Sequence, residues 1–357
     1  MSRFGRDGRV FFFEEPIFTD GETALDVDRR DGNLFVIQPK LPHGTDGEQA
    51  LNQLRKFLDE LIVGHDIHEH ISWYYTPMMF RWSSHLTPKA LVYDCMDELS
   101  AFRNAPAELV DRERELLSAA DVVFTGGQSL YEAKKDAHPS VHAFPSSIDV
   151  KHFAKALKPN AEPDDMAGIS RPRIGFIGVI DERLDIDLLD QIAQLGPDFE
   201  YVMIGPVVKI DVNDLPRRKN IHYLGAKAYD ELPFYIGTWD VAILPFAINE
   251  STRYISPTKT PEYLAAGRPV VSTPIRDVVR PYGDQGLVQI ASSPDEFVRG
   301  IETALNSDGE NRRAQADEFL SNMSWDVTYR SMLRLIDEAI GARPNMAARS
   351  AKSVGFS

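Results

Sequence analysis

The sequence predicts an α/β protein built from two doubly wound parallel sheets, and three observations predict it. Strand-like apolar runs alternate with amphipathic helical runs through most of the 357 residues. The alternation stops once, at residues 155–171, where Pro159, Pro163 and Pro172 fall among mixed charges. It then restarts with a second set of six strands and crossover helices.

In the first half the strands are expected at 9–14, 33–38, 71–76, 90–93, 121–125 and 141–144, with helices at 48–63, 105–119 and 129–137. Residues 1–155 thus form one domain and 156–171 a linker. The second domain, 172–323, has strands at 173–178, 200–204, 221–224, 241–245, 270–272 and 287–290. Its helices are expected at 184–195, 229–237, 258–266, 293–305 and 311–323. A further helix at 325–340 has nothing left to pair with in the second sheet and is free to pack across the first domain. Residues 341–357, small, polar and basic in patches, read as a disordered tail.

The opening is unusual for this architecture. A doubly wound sheet normally begins with its central strand, a Gly-rich turn and a helix, yet Arg9 already starts a strand here. The expectation is that about 25 to 35 residues, one strand-and-helix unit, are missing from the start of the first domain.

Composition narrows the function. With 43% hydrophobic and 26% charged residues the chain is that of a soluble globular protein. No apolar run approaches the ~20 residues that cross a bilayer. Cys95 is the one cysteine, which excludes an internal disulfide and suits a reducing cytoplasm. The formal charge of −15 argues against nucleic acid as a partner, and an anionic small ligand would need a local cluster of cations.

Residues 249–271 supply one such cluster. The run Ser256-Pro-Thr258-Lys259-Thr-Pro-Glu262 leads into an apolar helix that Gly267 ends. Ser256, Thr258 or Thr260 can cap the free amides, and a phosphate suits the positive end of the helix beside Lys259. Glu262, three residues on, shares the face of Lys259, so cation and carboxylate together suit a diphosphate and the hydroxyls of a ribose. An ordinary exposed ion pair on a capped helix would read the same way. A second cation, Arg183, follows Gly175 and Gly178 at the strand-to-helix turn 175–184, and its guanidinium fork can hold two phosphate oxygens.

These residues, with Val202-Met-Ile-Gly205-Pro206, the stretch from Ile221 to Gly225, and Tyr229 to Pro233, resemble the C-terminal domain of GT-B-fold glycosyltransferases of family 4. The branch they resemble is that of bacterial surface-polysaccharide and teichuronic-acid-type enzymes. In the first half, Phe124-Thr-Gly-Gly-Gln-Ser-Leu and Pro145-Ser-Ser-Ile-Asp149 through His152-Phe153 are similar to the family's approach to the domain junction. The resemblance covers most of residues 70–340 and implies two Rossmann-like domains. It further implies a retaining, metal-independent transfer of a sugar from a nucleotide diphosphate, expected to be uridine, to a saccharide or lipid-linked saccharide. On this reading Arg183 and Lys259 hold the diphosphate, Glu262 the ribose, and Gly178, Ser256 and Thr258 the phosphates. The loops at Gly205 and Gly225 flank the base. No cofactor is implied. A negative chain without an anchor would meet a lipid-linked acceptor by peripheral contact at the inner membrane face.

The family's pair of glutamates is separated by seven residues, but Tyr254 stands eight positions before Glu262, and Glu250 is the nearest substitute. Asp94 and Asp97, at the end of a strand, could contact the acceptor or act as a base, although Asp97 could equally cap a helix. His65, His68 and His70 read as a polar loop rather than a metal site. Asp185 and Asp187 read as carboxylates of a helix start. Two other readings remain open: a sugar-nucleotide 2-epimerase of the same fold, and an inactive partner that binds a nucleotide-sugar.

Overall fold

The computed structural model describes residues 1–30, 32–102, 105–158 and 161–343. It contains three sheets. In the first, β4 (Leu34–Pro42) is central, with β1 (Val10–Phe13) and β2 (Ile17–Thr19) parallel to it and β3 (Ala24–Arg29) antiparallel. Neither β2 nor β3 is expected from the sequence, for a physical reason. Pro16 and the Glu14-Glu15 pair interrupt the run before β2, and β3 alternates Asp26 and Asp28 with apolar residues over an exposed face.

The second sheet is parallel throughout, in the order β5 (Ile71–Tyr74), β6 (Ala90–Cys95), β7 (Val122–Thr125), β8 (Val141–Ala143). All six residues of β6 are buried, as befits a strand covered on both faces. Among the described residues no strand pairing joins these two sheets. Rings bridge them instead: Phe13 lies 5.0 Å from Trp82 and Phe12 6.2 Å from Tyr75.

The third sheet runs β11 (Ile221–Gly225), β10 (Glu200–Ile204), β9 (Arg173–Ile177), β12 (Val241–Leu244), β13 (Val270–Ser272), β14 (Gln289–Ile290), all parallel. The chain enters at β9, builds outward through β10 and β11, and then returns to β12 on the other side. That reversal makes a crevice at the carboxyl ends of β9 and β12, the place where open α/β sheets bind ligands. Gly175 serves packing within β9. A Cβ there would sit 1.9 Å from the Trp239 ring, so the residue admits a buried indole to the core.

Residues 161–171 are not a free connector. Met166 and Ile169 are buried in the core of the second domain, and Asp165 accepts from Lys227 and Tyr235. The helix Trp325–Ala342 extends past the expected end and lies on β6 and β7 of the first domain, with Ile336 buried against Ala90, Val92, Val122 and Phe124. Arg343 donates to Asp121 at 2.7 Å, and Arg3 to Asp326 at 2.8 Å. The rest of the expected tail, 344–357, lies outside the described residues.

Candidate functional site at the cleft

Three glycines set the shape of the second domain's edge. The Gly178 N–H donates to Ile204 O and the Gly205 N–H to Gly225 O, each at 2.9 Å, so the loops leaving β9, β10 and β11 are laced together. Gly205 has φ +148°, and a Cβ on it would stand 1.8 Å from the Gly178 carbonyl oxygen. These two glycines serve loop-on-loop contact. Gly225, at φ +69° with open space around it, only reverses the chain.

Arg183 leaves this edge on the loop after β9. Its guanidinium grips Asp181 with both prongs, Nε to Oδ1 at 3.0 Å and Nη2 to Oδ2 at 2.7 Å. That hydrogen-bonded carboxylate keeps the arginine firmly charged. Beyond Asp181, the Arg183 guanidinium also feels Asp97, which comes from the first domain. Burial pushes the Asp97 carboxyl up, and the Arg183 charge opposes the shift. Beside them, the Lys209 ammonium lies 5.3 Å from the Phe102 ring centre and 3.7 Å from Glu182 Oε1.

Lys259 opens the short helix Lys259–Ala265, which hangs from the end of β9: the Ile177 N–H donates to the Tyr263 hydroxyl at 2.8 Å. The helix stops as expected, with Gly267 at φ +71° and the Arg268 N–H returning to Tyr263 O at 2.9 Å. Its start departs from expectation. Thr258, at the cap position, makes no side-chain capping bond, and Thr260 Oγ1 is buried without a partner. Thr260 points into the core, where it cannot reach back to the free amides.

Arg183 and Lys259 therefore share the carboxyl edge of one sheet, each held by its own carboxylate. Lys259 Nζ donates to Glu262 Oε2 at 2.8 Å, and both side chains are largely buried. Burial raises the Glu262 carboxyl, while Lys259 and, more weakly, His152 pull it back.

In the first domain, Asp94 lies one residue before the end of β6 and is 3% exposed. Oδ2 accepts from the Trp73 indole at 3.2 Å, and Oδ1 is buried with no partner. Burial pushes this carboxyl up to about 7, against the indole hydrogen bond and the Met1 amino group. The following turn, which carries Asp97, rests on a buried network missed by sequence reasoning. Lys134 Nζ lies 2.7 Å from both Glu98 and Glu113, and the Tyr93 hydroxyl donates to Glu113 at 2.8 Å. Lysine and glutamate so far apart in sequence leave no spacing signal.

Other candidates stand apart. Glu250 is exposed on the turn 249–253, with Arg253 at 3.5 Å as its ion-pair partner. Asp185 caps its helix by accepting from Leu188 N at 2.8 Å. His65 packs on Phe11, His68 lies 3.0 Å from Asp66, and among the described residues no group of three or more His, Cys, Asp or Glu gathers for a metal.

Residues 171–307 match the family of glycosyl transferases group 1. This match covers the second domain, and the chain as a whole has the GT-B fold of two α/β domains, with a crevice at the β9–β12 reversal. In particular it is similar to TuaH of Bacillus subtilis (strain 168), named for teichuronic acid biosynthesis, at 24% identity over 79% of this chain and 76% of TuaH. Solved structures share the fold. Sucrose-phosphate synthase from Thermosynechococcus elongatus superposes with a TM-score of 0.69 at 14% identity, covering 94% of this chain and 90% of its own. The E. coli trehalose-6-phosphate structure bound with UDP-2-fluoro glucose gives 0.68 at 12%, covering 94% and 93%. Anabaena HepE in complex with UDP and glucose gives 0.62 at 13%, covering 86% of each chain.

Proposed function

We propose that this glycosyltransferase moves a sugar from a uridine diphosphate donor, with retention, to a saccharide or lipid-linked saccharide in surface-polysaccharide synthesis. The observation that carries the reading is the placement of Arg183 and the Lys259–Glu262 pair at the reversal of the second sheet, each cation held by a carboxylate of the same domain. A diphosphate arriving there draws Lys259 off Glu262 and meets Arg183, and the freed carboxylate accepts the ribose hydroxyls. Gly178, Gly205 and Gly225 hold the loops around it, and the backbone near Ser256 and Thr258 meets a phosphate.

In the transfer, the bond from the anomeric carbon to the diphosphate oxygen breaks as the bond to the acceptor oxygen forms. The acceptor's proton passes to the departing phosphate oxygen. Arg183 and Lys259 neutralise the charge that builds on that leaving group, so the reading requires no metal. Asp94, with one free carboxylate oxygen, and Asp97 orient the acceptor hydroxyl. No helix among the described residues is long and apolar enough to cross a membrane, and a lipid-linked acceptor would be met by peripheral contact. Two structural neighbours hold UDP-type ligands, which supports uridine as the base.

Calorimetric titration with UDP tests this. Arg183→Ala and Lys259→Ala each remove a charge-assisted contact of about 1.5 to 3 kcal/mol, so each should weaken UDP about ten- to a hundredfold. Unchanged affinity in both variants overturns the proposal.

A further inference from the structure

The loop between β12 and the helix Lys259–Ala265 belongs to the second domain but touches both. It opens with a turn closed on itself: Asn249 Oδ1 accepts the Thr252 N–H at 3.2 Å, and the Asn249 N–H donates to Thr252 Oγ1 at 3.1 Å. Thr252 is buried. The turn delivers the next residues from a fixed point.

Those residues divide between two cores. Tyr254 packs against the apolar cluster of the first domain, which includes Tyr74, Leu91, Leu116 and Leu130. Ile255, its neighbour, is buried in the cluster of the second domain with Tyr263 and Leu264. Ser256 then meets the first domain again, since a Cβ on Gly127 would stand 2.8 Å from Ser256 Cβ. The Arg253 guanidinium lies over the Tyr254 ring, 5.2 Å from its centre.

From Tyr254 to Lys259 the chain can span at most ~17 Å, and Pro257 stiffens the path by fixing its own φ. Little slack remains. A movement of the ring is passed along to the ammonium instead of being absorbed between them.

We propose that Tyr254 is a positioning residue for the transfer: by docking on the core of the first domain, its ring sets the loop that carries Ser256, Thr258 and Lys259. This rests on the donor reading above. Coupling between two contacts is reciprocal. If the ring fixes the phosphate loop against the first domain, a diphosphate that fixes the loop also tightens the seam between the domains.

The seam carries its own reporter. The Ser129 N–H of the first domain donates to Asp277 Oδ1 of the second at 2.9 Å, so this amide is protected only while the domains are in contact. Hydrogen exchange at Ser129, with and without UDP, combined with calorimetric titration of UDP, tests the proposal.

In the wild type UDP should slow exchange at Ser129 about fivefold or more. Tyr254→Phe keeps the ring and should match the wild type in both readouts. Tyr254→Ala should bind UDP about tenfold more weakly and lose the slowing. Tyr254→Leu, with less surface to bury, should fall between them, and melting temperatures show which variants fold. Three results overturn the proposal: a wild type that binds UDP without slower exchange at Ser129, slowing that survives in Tyr254→Ala, or equal UDP affinity in Tyr254→Ala and the wild type. The first needs no variant. A wild type that binds no UDP sinks the donor reading itself, and the titration reads that result separately.

Discussion

Asp277 Oδ1 accepts the Ser129 backbone N–H at 2.9 Å, so a carboxylate from the second domain caps the helix Gln128–Lys134 of the first. Beside it, Arg276 pairs with Glu132. The approach is close because Gly127 has no side chain: a Cβ there would stand 2.2 Å from Asp277 Oδ2 and 2.8 Å from Ser256 Cβ. The cleft therefore has a closed side, built from a glycine and a cap that belong to different domains.

Removing that cap should loosen the domains without unfolding either. Asp277→Ala is expected to cost about 1 to 2 kcal/mol, as lost helix caps do, and Gly127→Ala to push the interface apart. Small-angle scattering should show a larger radius of gyration for both variants. A radius identical to the wild type would mean that the contact does not hold the cleft.

Asp94 gives the fold a pH dependence opposite to that of most carboxylates. Burial raises it from 3.8 to about 7. Between those values the folded protein keeps a proton that the unfolded chain has released, so this residue makes stability fall as pH rises through that window. Asp94→Asn should remove the effect. Its melting temperature should exceed that of the wild type by more at pH 8 than at pH 4, and a difference independent of pH would contradict the raised value.

Lys134 is shared by Glu98 and Glu113. Lys134→Met would leave two largely buried carboxylates facing each other, at a cost of about 3 to 5 kcal/mol. Urea denaturation should show the loss, and the triple variant Lys134→Met, Glu98→Gln, Glu113→Gln should recover much of it. A single variant as stable as the wild type would show the network to be solvated.

Gly205→Ala meets both a backbone conformation that side chains rarely adopt and a collision with the Gly178 carbonyl. Neither can be relieved by turning a side chain, so a loss of about 2 kcal/mol or more is expected, together with weaker nucleotide binding. Gly225→Ala, with φ +69° but open space, should cost less. The order of the two melting temperatures checks this, and the reverse order would place the strain elsewhere.

The second domain is legible in the sequence because its signals are local. The apolar strands, the glycine that ends the helix Lys259–Ala265, and a Lys-Glu pair one turn apart are all written within a few residues. Asp185 as a carboxylate at a helix start is readable for the same reason, and the structure makes it the cap. The first domain is harder. Acidic β3 finds its place only by pairing with β4, and Met166 and Ile169 look like linker until the core that buries them exists.

By itself, then, the sequence determined the two-domain α/β layout and the cations of one sheet edge, since strand and helix periods and turn chemistry act over short stretches of chain. Only the tertiary structure decided what those charges meet: Asp181 in the grip of Arg183, Asp165 on Lys227, Ser129 capped by Asp277. Charges and caps act through space. Residues 148 positions apart in the chain become partners only once two sheets have folded and closed on each other.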